Sequence, residues 1–259
     1  MAKRLQPDQL GDARILVRVP NWVGDTMMCL PALRALRHAL PRAALTLLAR
    51  PWVRDVIPIE ELGCRLISYD TQGSHRGWRG RMSLVSALRE ERFDAAVLFQ
   101  NAFDAALVAL LARIPIRAGY SRHWRKPLLT HAVAVPRHGD TPAHEAHYYL
   151  EMLHRLGLIA GYDEVRQVLL PTSEAVRRGA RADLQERLEG TFPLPKTGTG
   201  PFVGISPGAT FGTAKRWPVA RFAELASRLT KELGAHCIFF GAPQEKPLAD
   251  EVQSQAGVP

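Results

Sequence analysis

The sequence predicts an α/β protein of two Rossmann-like units, the second only partly present. Short apolar runs alternate with helical patterns along the chain, and the strand candidates are apolar nearly throughout. The alternation breaks between residues 160 and 201 and then starts again. Apolar strands joined by helices are typical of a mostly parallel sheet that is covered on both faces. We therefore expect one unit at residues 1–168 and an incomplete second unit at residues 169–259.

The first unit begins with an apolar run at 14–19, a loop at 20–25, and leucines at helical spacing with Pro31 suited to the first turn. Further strands are expected at 45–49, 65–69, 95–99, 116–120 and 132–135, and helices at 80–92, 102–113 and 141–157. The second unit is expected to hold helices at 174–188, 219–234 and 247–255 and strands at 202–206 and 236–240. The chain then stops where another strand is expected.

Composition narrows the classes of protein that fit. Hydrophobic residues make up 46% of the chain and charged residues 23%, which excludes a largely disordered protein. Lysine and arginine number 34 against 25 acidic residues, and the net charge of +9 indicates an anionic partner. The three cysteines lie far apart, as in a cytosolic protein with reduced thiols. No apolar run approaches the roughly 20 residues that span a bilayer.

The first candidate functional loop is the segment 20–26. It follows the first predicted strand, at the expected ligand-binding edge of the sheet. It lacks the glycine pattern of a dinucleotide site. Asp25 places a carboxylate there, and from position alone it is either a helix N-cap or a functional group.

The second loop, at 206–218, combines features that suit an anion. Gly208 permits close approach of the backbone, Thr210 and Thr213 offer hydroxyls, and Lys215 and Arg216 precede a helix. The alternative is a solvated loop with two surface cations.

A third feature is the stretch 105–139, which has no acidic residue but six basic ones. Arginines recognise phosphate and carboxylate groups, so we expect an anion-binding surface that includes Arg117, Tyr120, Arg122 and Arg125. The alternative is a basic nucleic-acid-binding module that uses this stretch with Trp78, Tyr120 and Trp124. His144 and His147 lie three residues apart, which does not match the metal motif with histidines four apart.

These segments together resemble a known family. Residues 15–31 resemble the N-terminal signature of the ADP-heptose:lipopolysaccharide heptosyltransferases, most closely the heptosyltransferase II type. Residues 114–120 are similar to the family's middle segment, and residues 206–218 to its donor-phosphate loop. The resemblance implies the GT-B fold, in which two Rossmann-like domains face each other across a cleft. It implies that Asp25 is the general base and that Lys215 binds the donor diphosphate.

The implied reaction is the inverting transfer of L-glycero-D-manno-heptose from ADP-heptose to the lipopolysaccharide inner core. The resemblance implies no cofactor, no essential metal and no nucleic-acid partner. It also implies that the protein contacts the cytoplasmic face of the inner membrane peripherally. The family's later Asp-Thr-Gly-Pro segment has no match here, so we expect the 259-residue chain alone to be a poor catalyst or inactive. A Rossmann oxidoreductase is disfavoured because Arg50 stands where an acidic ribose partner is required.

Overall fold

The computed structural model describes residues 4–170, 174–189, 200–209 and 213–257. The chain divides into two compact units, residues 1–171 and 172–259. Within the described residues, no helix combines the length and the apolar composition that crossing a bilayer requires.

The first unit is built on a parallel sheet of six strands. Its strands are β1 (Arg14–Arg18), β2 (Ala44–Ala49), β3 (Arg65–Ser68), β4 (Ala95–Leu98), β5 (Ile116–Tyr120) and β6 (His131–Val133). They lie in the order β3-β2-β1-β4-β5-β6, so the chain runs outward from β1 in one direction and then returns to the other side. This reversal between β1 and β4 is a topological switch point, where α/β proteins bind ligands beyond the carboxyl ends of the strands.

Helices cover both faces of this sheet. They are α1 (Val23–Ala39), the single turn α2 (Ile59–Leu62), α3 (Gly77–Glu90), α4 (Phe103–Leu111) and α5 (Ala146–Leu156), with short 3₁₀ turns at Pro7–Leu10, Pro51–Val56 and Lys126–Leu128. Ile15 and Val17 of β1 are buried in the core that includes residues of α1 and α5, whereas Leu16 is buried in the core with residues of α3 and α4. Both faces of β1 are thus apolar, which explains its continuous apolar run.

The second unit is smaller. It comprises α6 (Glu174–Glu189), β7 (Phe202–Ile205), α7 (Val219–Leu233), β8 (His236–Phe239) and α8 (Lys246–Ala256), with 3₁₀ turns at Thr213–Lys215 and Pro243–Glu245. Strands β7 and β8 pair in parallel. Ile205, Ala223, Ala226 and Val252 form the centre of its core.

The largest departure from the sequence prediction is the start of α1. The sequence placed Pro31 in the first turn, but α1 begins at Val23 and contains Pro31 in its interior. Proline removes one backbone N–H from a helix and normally disfavours the interior. Here the complete burial of Cys29, Leu30 and Ala32 around it offsets that loss. Asp25 therefore lies within the first turn of a helix instead of in a loop.

Candidate functional site

An open pocket of about 510 Å³ lies at the switch point of the first unit. Its walls come from the first turn of α1, the segment that follows β4, the turn that follows β5 and the start of α5. The polar lining residues include Asp25, Asn101, Arg122, Glu145 and Tyr148.

Asp25 presents its carboxylate to this pocket. The side chain is exposed, and no residue in the described part of the chain donates a hydrogen bond to it or pairs with it. The N-cap of α1 is Trp22, and no side chain caps the helix. The capping alternative is therefore wrong for Asp25, and its carboxylate is available to a ligand. Its role as a base stays a prediction.

The loop before Asp25 is held at Asn21 by three donors. Arg18 Nη2 donates to Asn21 Oδ1 at 2.5 Å and Arg50 Nε donates to the same oxygen at 3.3 Å. The indole Nε1 of Trp52 donates to the Asn21 carbonyl at 2.7 Å. Both arginines also contact the ring of Tyr69. Contacts from several elements thus fix the backbone from which α1 starts, which positions Asp25.

Glu145 is a pocket residue that sequence reasoning missed. It stands at the N-cap of α5. Burial raises the pKa of Glu145 and the carboxylate of Asp25 raises it further, while Arg122 and His144 act in the opposite direction. The two carboxylates therefore face a common space together with one guanidinium. In the sequence Glu145 stands between His144 and His147, and nothing there marks it as a pocket residue.

His147 of the same segment has a structural role. Its ring is buried, Nδ1 donates to the carbonyl of His144 at 3.0 Å, and Nε2 accepts from the backbone N–H of Val165 at 2.8 Å. Neither ring nitrogen is left to bind a metal.

The electrostatic link between the two carboxylates gives a first testable prediction. Replacing Asp25 by asparagine keeps the shape of the side chain but removes the like charge near Glu145. We expect the pKa of Glu145 to fall, because its ionised form is no longer disfavoured by a neighbouring negative charge. NMR titration of the Glu145 side-chain carboxyl carbon in both proteins measures this. An unchanged titration curve would show that the two groups do not share one pocket.

The structure separates the four residues predicted to form an anion-binding surface, which the family resemblance makes the acceptor surface. Arg122 lines the pocket. Tyr120 and Arg125 are buried, and the hydroxyl of Tyr120 donates to the carbonyl of Tyr148 at 2.7 Å. Arg117 lies near the amino end of β5, away from the ligand-binding edge, and donates to the carbonyls of Leu128 and Ile114.

The expectation of one shared acceptor surface is therefore corrected for Arg117, Tyr120 and Arg125. A guanidinium has five donors, and backbone carbonyls in turns often lack partners within the main chain. In the stretch 105–139, Arg117 and Arg125 donate hydrogen bonds to such backbone carbonyls and not to anions from solvent. Burial of Tyr120 also removes one aromatic from the nucleic-acid alternative.

Arg125 anchors the turn that carries Arg122. Its Nε donates to the carbonyl of Tyr120 at 2.7 Å, and its other nitrogens donate to the carbonyls of Gln100 and Leu98. Burial lowers the pKa of Arg125 to about 10, so the side chain stays charged at neutral pH. Gly119 makes room for it, because a Cβ there would lie 2.9 Å from Arg125 Nη2.

Two residues of this turn have a left-handed backbone conformation. His123 and Trp124 have φ values of 51° and 61°, a conformation that residues with a Cβ seldom adopt. The buried guanidinium of Arg125 holds the turn in this form. As a result Arg122 and His123 line the pocket, and the indole of Trp124 is 93% exposed.

In the second unit, the predicted anion loop is described in part. Lys215 and Arg216 are exposed at the turn before α7, and Arg216 Nη2 donates to the carbonyl of Ala209 at 3.0 Å. Thr213 begins the 3₁₀ turn, and Thr210 lies outside the described residues. Gly208 is approached closely by a side chain that sequence reasoning missed: a Cβ at this position would lie 2.0 Å from Glu245 Oε1.

Comparison with known proteins identifies relatives of this chain. The model of glycosyltransferase family 9 (heptosyltransferase) matches residues 81–257. Lipopolysaccharide heptosyltransferase 2 of Salmonella typhimurium is 30% identical over 239 residues, and the match covers 92% of this chain and 66% of that protein. The chain thus spans slightly less than two thirds of that relative's length.

Solved structures show the same fold. The E. coli ADP-heptose lps heptosyltransferase II is 29% identical with a TM-score of 0.72, covering 94% of this chain and 70% of that one. A glycosyl transferase family 9 structure from Veillonella parvula, 24% identical, has a TM-score of 0.77 and covers 96% of this chain and 68% of its own. These matches confirm the predicted fold class, which is α/β of the GT-B type with a partial second unit.

Proposed function

Because the chain belongs to glycosyltransferase family 9, the heptosyltransferases, we propose that it transfers L-glycero-D-manno-heptose from ADP-heptose to the lipopolysaccharide inner core. In this proposal the transfer inverts the anomeric carbon, and the acceptor is a saccharide of Kdo and heptose on lipid A. The names of the Salmonella and E. coli relatives support the donor and the class of acceptor.

The free carboxylate of Asp25 on the wall of the switch-point pocket is the observation that carries the proposal. In an inverting transfer the acceptor hydroxyl attacks the anomeric carbon from the side opposite the departing ADP, and its proton passes to a base. We assign that role to Asp25. Arg122, which lines the same pocket, then contacts an anionic group of the acceptor.

The second unit supplies the groups proposed to hold the donor. The charge on the departing diphosphate is stabilised by cations and by backbone N–H groups. Lys215 and Arg216 are exposed just before α7, and Gly208 lies in the loop that follows β7. Thr210 and Thr213 stay in the proposal from the sequence. The proposal assigns no cofactor or metal ion to this site.

Lys215 gives the test of the donor half. Lys215→Ala is expected to weaken ADP binding by about 1.5–3 kcal/mol, the usual contribution of a hydrogen bond between charged groups. Adenosine has no diphosphate, so its affinity should barely change. Calorimetric titration of both ligands measures the difference, with Lys231→Ala on α7 as the control. Equal losses for ADP and adenosine would show that Lys215 supports the loop instead of binding the diphosphate.

The proposed site of action is the cytoplasmic face of the inner membrane, where the lipid of the acceptor resides. The net charge of +9 supports contact with an anionic surface. Of the aromatic residues in the nucleic-acid alternative, Trp78 and Trp124 are exposed and Tyr120 is buried.

The proposal is tested by a transfer assay with ADP-heptose and the lipid A–Kdo–heptose acceptor. The assay uses this chain and, in parallel, the chain extended by the residues of the Salmonella relative that the match does not cover. We expect the extended chain to release ADP and to form a product whose heptose has the inverted anomeric configuration by NMR. Retention of configuration, or no transfer by the extended chain, would contradict the proposal.

A further inference from the structure

The hydroxyl group of Tyr148 is a hydrogen-bond donor without an acceptor in the described part of the chain. Tyr148 lies on α5, is partly buried and lines the pocket that contains Asp25. Its oxygen accepts a hydrogen bond from Nδ2 of Asn101 at 2.7 Å. Within the described residues, no acceptor receives the hydroxyl proton of Tyr148.

Arg125 sets the direction of this hydrogen bond. A guanidinium only donates, and Nη2 of Arg125 lies 2.9 Å from Oδ1 of Asn101. The amide of Asn101 must therefore turn its oxygen to Arg125 and its nitrogen to Tyr148. An amide nitrogen is only a donor, so the Tyr148 oxygen must accept and its own proton stays free for a ligand.

The hydrogen-bonded series Arg125–Asn101–Tyr148 is held in place by burial and by ring packing. Arg125 is completely buried and charged at neutral pH. The ring of Tyr148 packs against Tyr120, with ring centres 4.6 Å apart, and edge-on against Tyr149 at 5.4 Å. A buried positive charge at one end of a hydrogen-bond chain polarises the donors along it. The Tyr148 hydroxyl is thus both fixed in place and strengthened as a donor.

We propose that Tyr148 binds the acceptor saccharide by donating a hydrogen bond to one of its hydroxyl oxygens, with Asn101 and Arg125 as the positioning residues. This inference rests on the proposed function, because it takes the pocket to be the acceptor site. A neutral sugar hydroxyl suits this position, since the carboxylates of Asp25 and Glu145 offset the charge of Arg122. Tyr148 therefore recognises the sugar face of the acceptor, whereas Arg122 recognises its charge.

The first test measures the affinity of the deacylated lipid A–Kdo–heptose saccharide for this chain by calorimetry. Tyr148→Phe keeps the packed ring and removes only the hydroxyl. We expect its dissociation constant to rise roughly threefold to tenfold, the effect of one lost neutral hydrogen bond. Added salt should leave this loss unchanged, but it should shrink the loss caused by Arg122→Gln. Tyr162→Phe is the matched control, because that hydroxyl donates to Glu151 at 2.6 Å, outside the pocket lining.

A second variant tests the direction of the hydrogen bond between Asn101 and Tyr148. Asn101→Asp keeps the shape but replaces the donating nitrogen by an accepting oxygen, so the Tyr148 proton turns toward the new carboxylate. We expect the same loss of affinity as in Tyr148→Phe, and no further loss when the two changes are combined.

The outcomes separate this inference from the proposed function. If the wild-type chain binds the saccharide and Tyr148→Phe binds equally well, or if the two changes weaken binding additively, the inference is overturned and the proposed function stands. If the wild-type chain does not bind the saccharide, both are overturned.

Discussion

Asp25→Asn in the extended chain is expected to lower the turnover number on the order of 10²- to 10⁴-fold, the usual contribution of a general base. The asparagine keeps the size of the side chain but cannot accept the proton of the acceptor hydroxyl. Stability should fall by only about 0.3–1 kcal/mol, since the substitution removes one negative charge from the first turn of α1. Rates of ADP release and urea unfolding curves on the same protein measure the two effects.

Glu145→Gln is the control for this experiment, because it removes the second carboxylate of the same pocket. A base must be placed at the reacting hydroxyl, whereas a general electrostatic effect would arise from either carboxylate. We expect Glu145→Gln to change turnover far less than Asp25→Asn. A folded Asp25→Asn protein with unchanged turnover would end the assignment of Asp25 as the base.

Arg125→Met is expected to destabilise the first unit by roughly 3 kcal/mol or more. Each hydrogen bond from a charged donor contributes about 1.5–3 kcal/mol, and Arg125 makes such bonds to three backbone carbonyls and to Asn101. Methionine fills part of the space but leaves the partly buried carbonyl of Gln100 without this donor. Urea unfolding followed by circular dichroism measures the loss.

The same substitution at Arg122 provides the matched control. Arg122 is exposed and lies three residues before Arg125 in the same turn, and exposed positions usually tolerate substitution within about 0.5 kcal/mol. We therefore expect Arg122→Met to unfold almost like the wild type. Equal effects of the two substitutions would show that the buried hydrogen bonds of Arg125 do not hold the turn.

Much of the fold was predictable because its strands are apolar on both faces. The runs that form β1, β4 and β5 stand out in the sequence. Strand β5 occurs with the predicted ends, and the other predicted strands of the first unit occur with ends shifted by at most two residues. The start of α1 was not predictable in the same way, because proline is a strong local signal against a helix interior. The burial of α1 against the sheet and α5 overrides that signal.

The site was predictable only where a side chain follows a strand in the sequence. Asp25 follows β1 and Arg122 follows β5, so both fall at the ligand-binding edge of the sheet. Glu145 reaches the pocket because α5 packs beside α1, a contact between distant parts of the chain. Arg125 has the same residue type as Arg122 but the opposite environment. Three of its partners are backbone carbonyls, which leave no mark in a sequence.

The most direct test of this account is to locate the acceptor on the protein. We would record isotope-filtered NOEs between the deacylated lipid A–Kdo–heptose saccharide and the ring protons of this chain. We expect saccharide protons to show NOEs to the rings of Tyr148 and Phe103, which line the pocket beside Asp25. A bound saccharide with no NOE to either ring would contradict the account, because the acceptor would then lie outside the pocket that holds the proposed base.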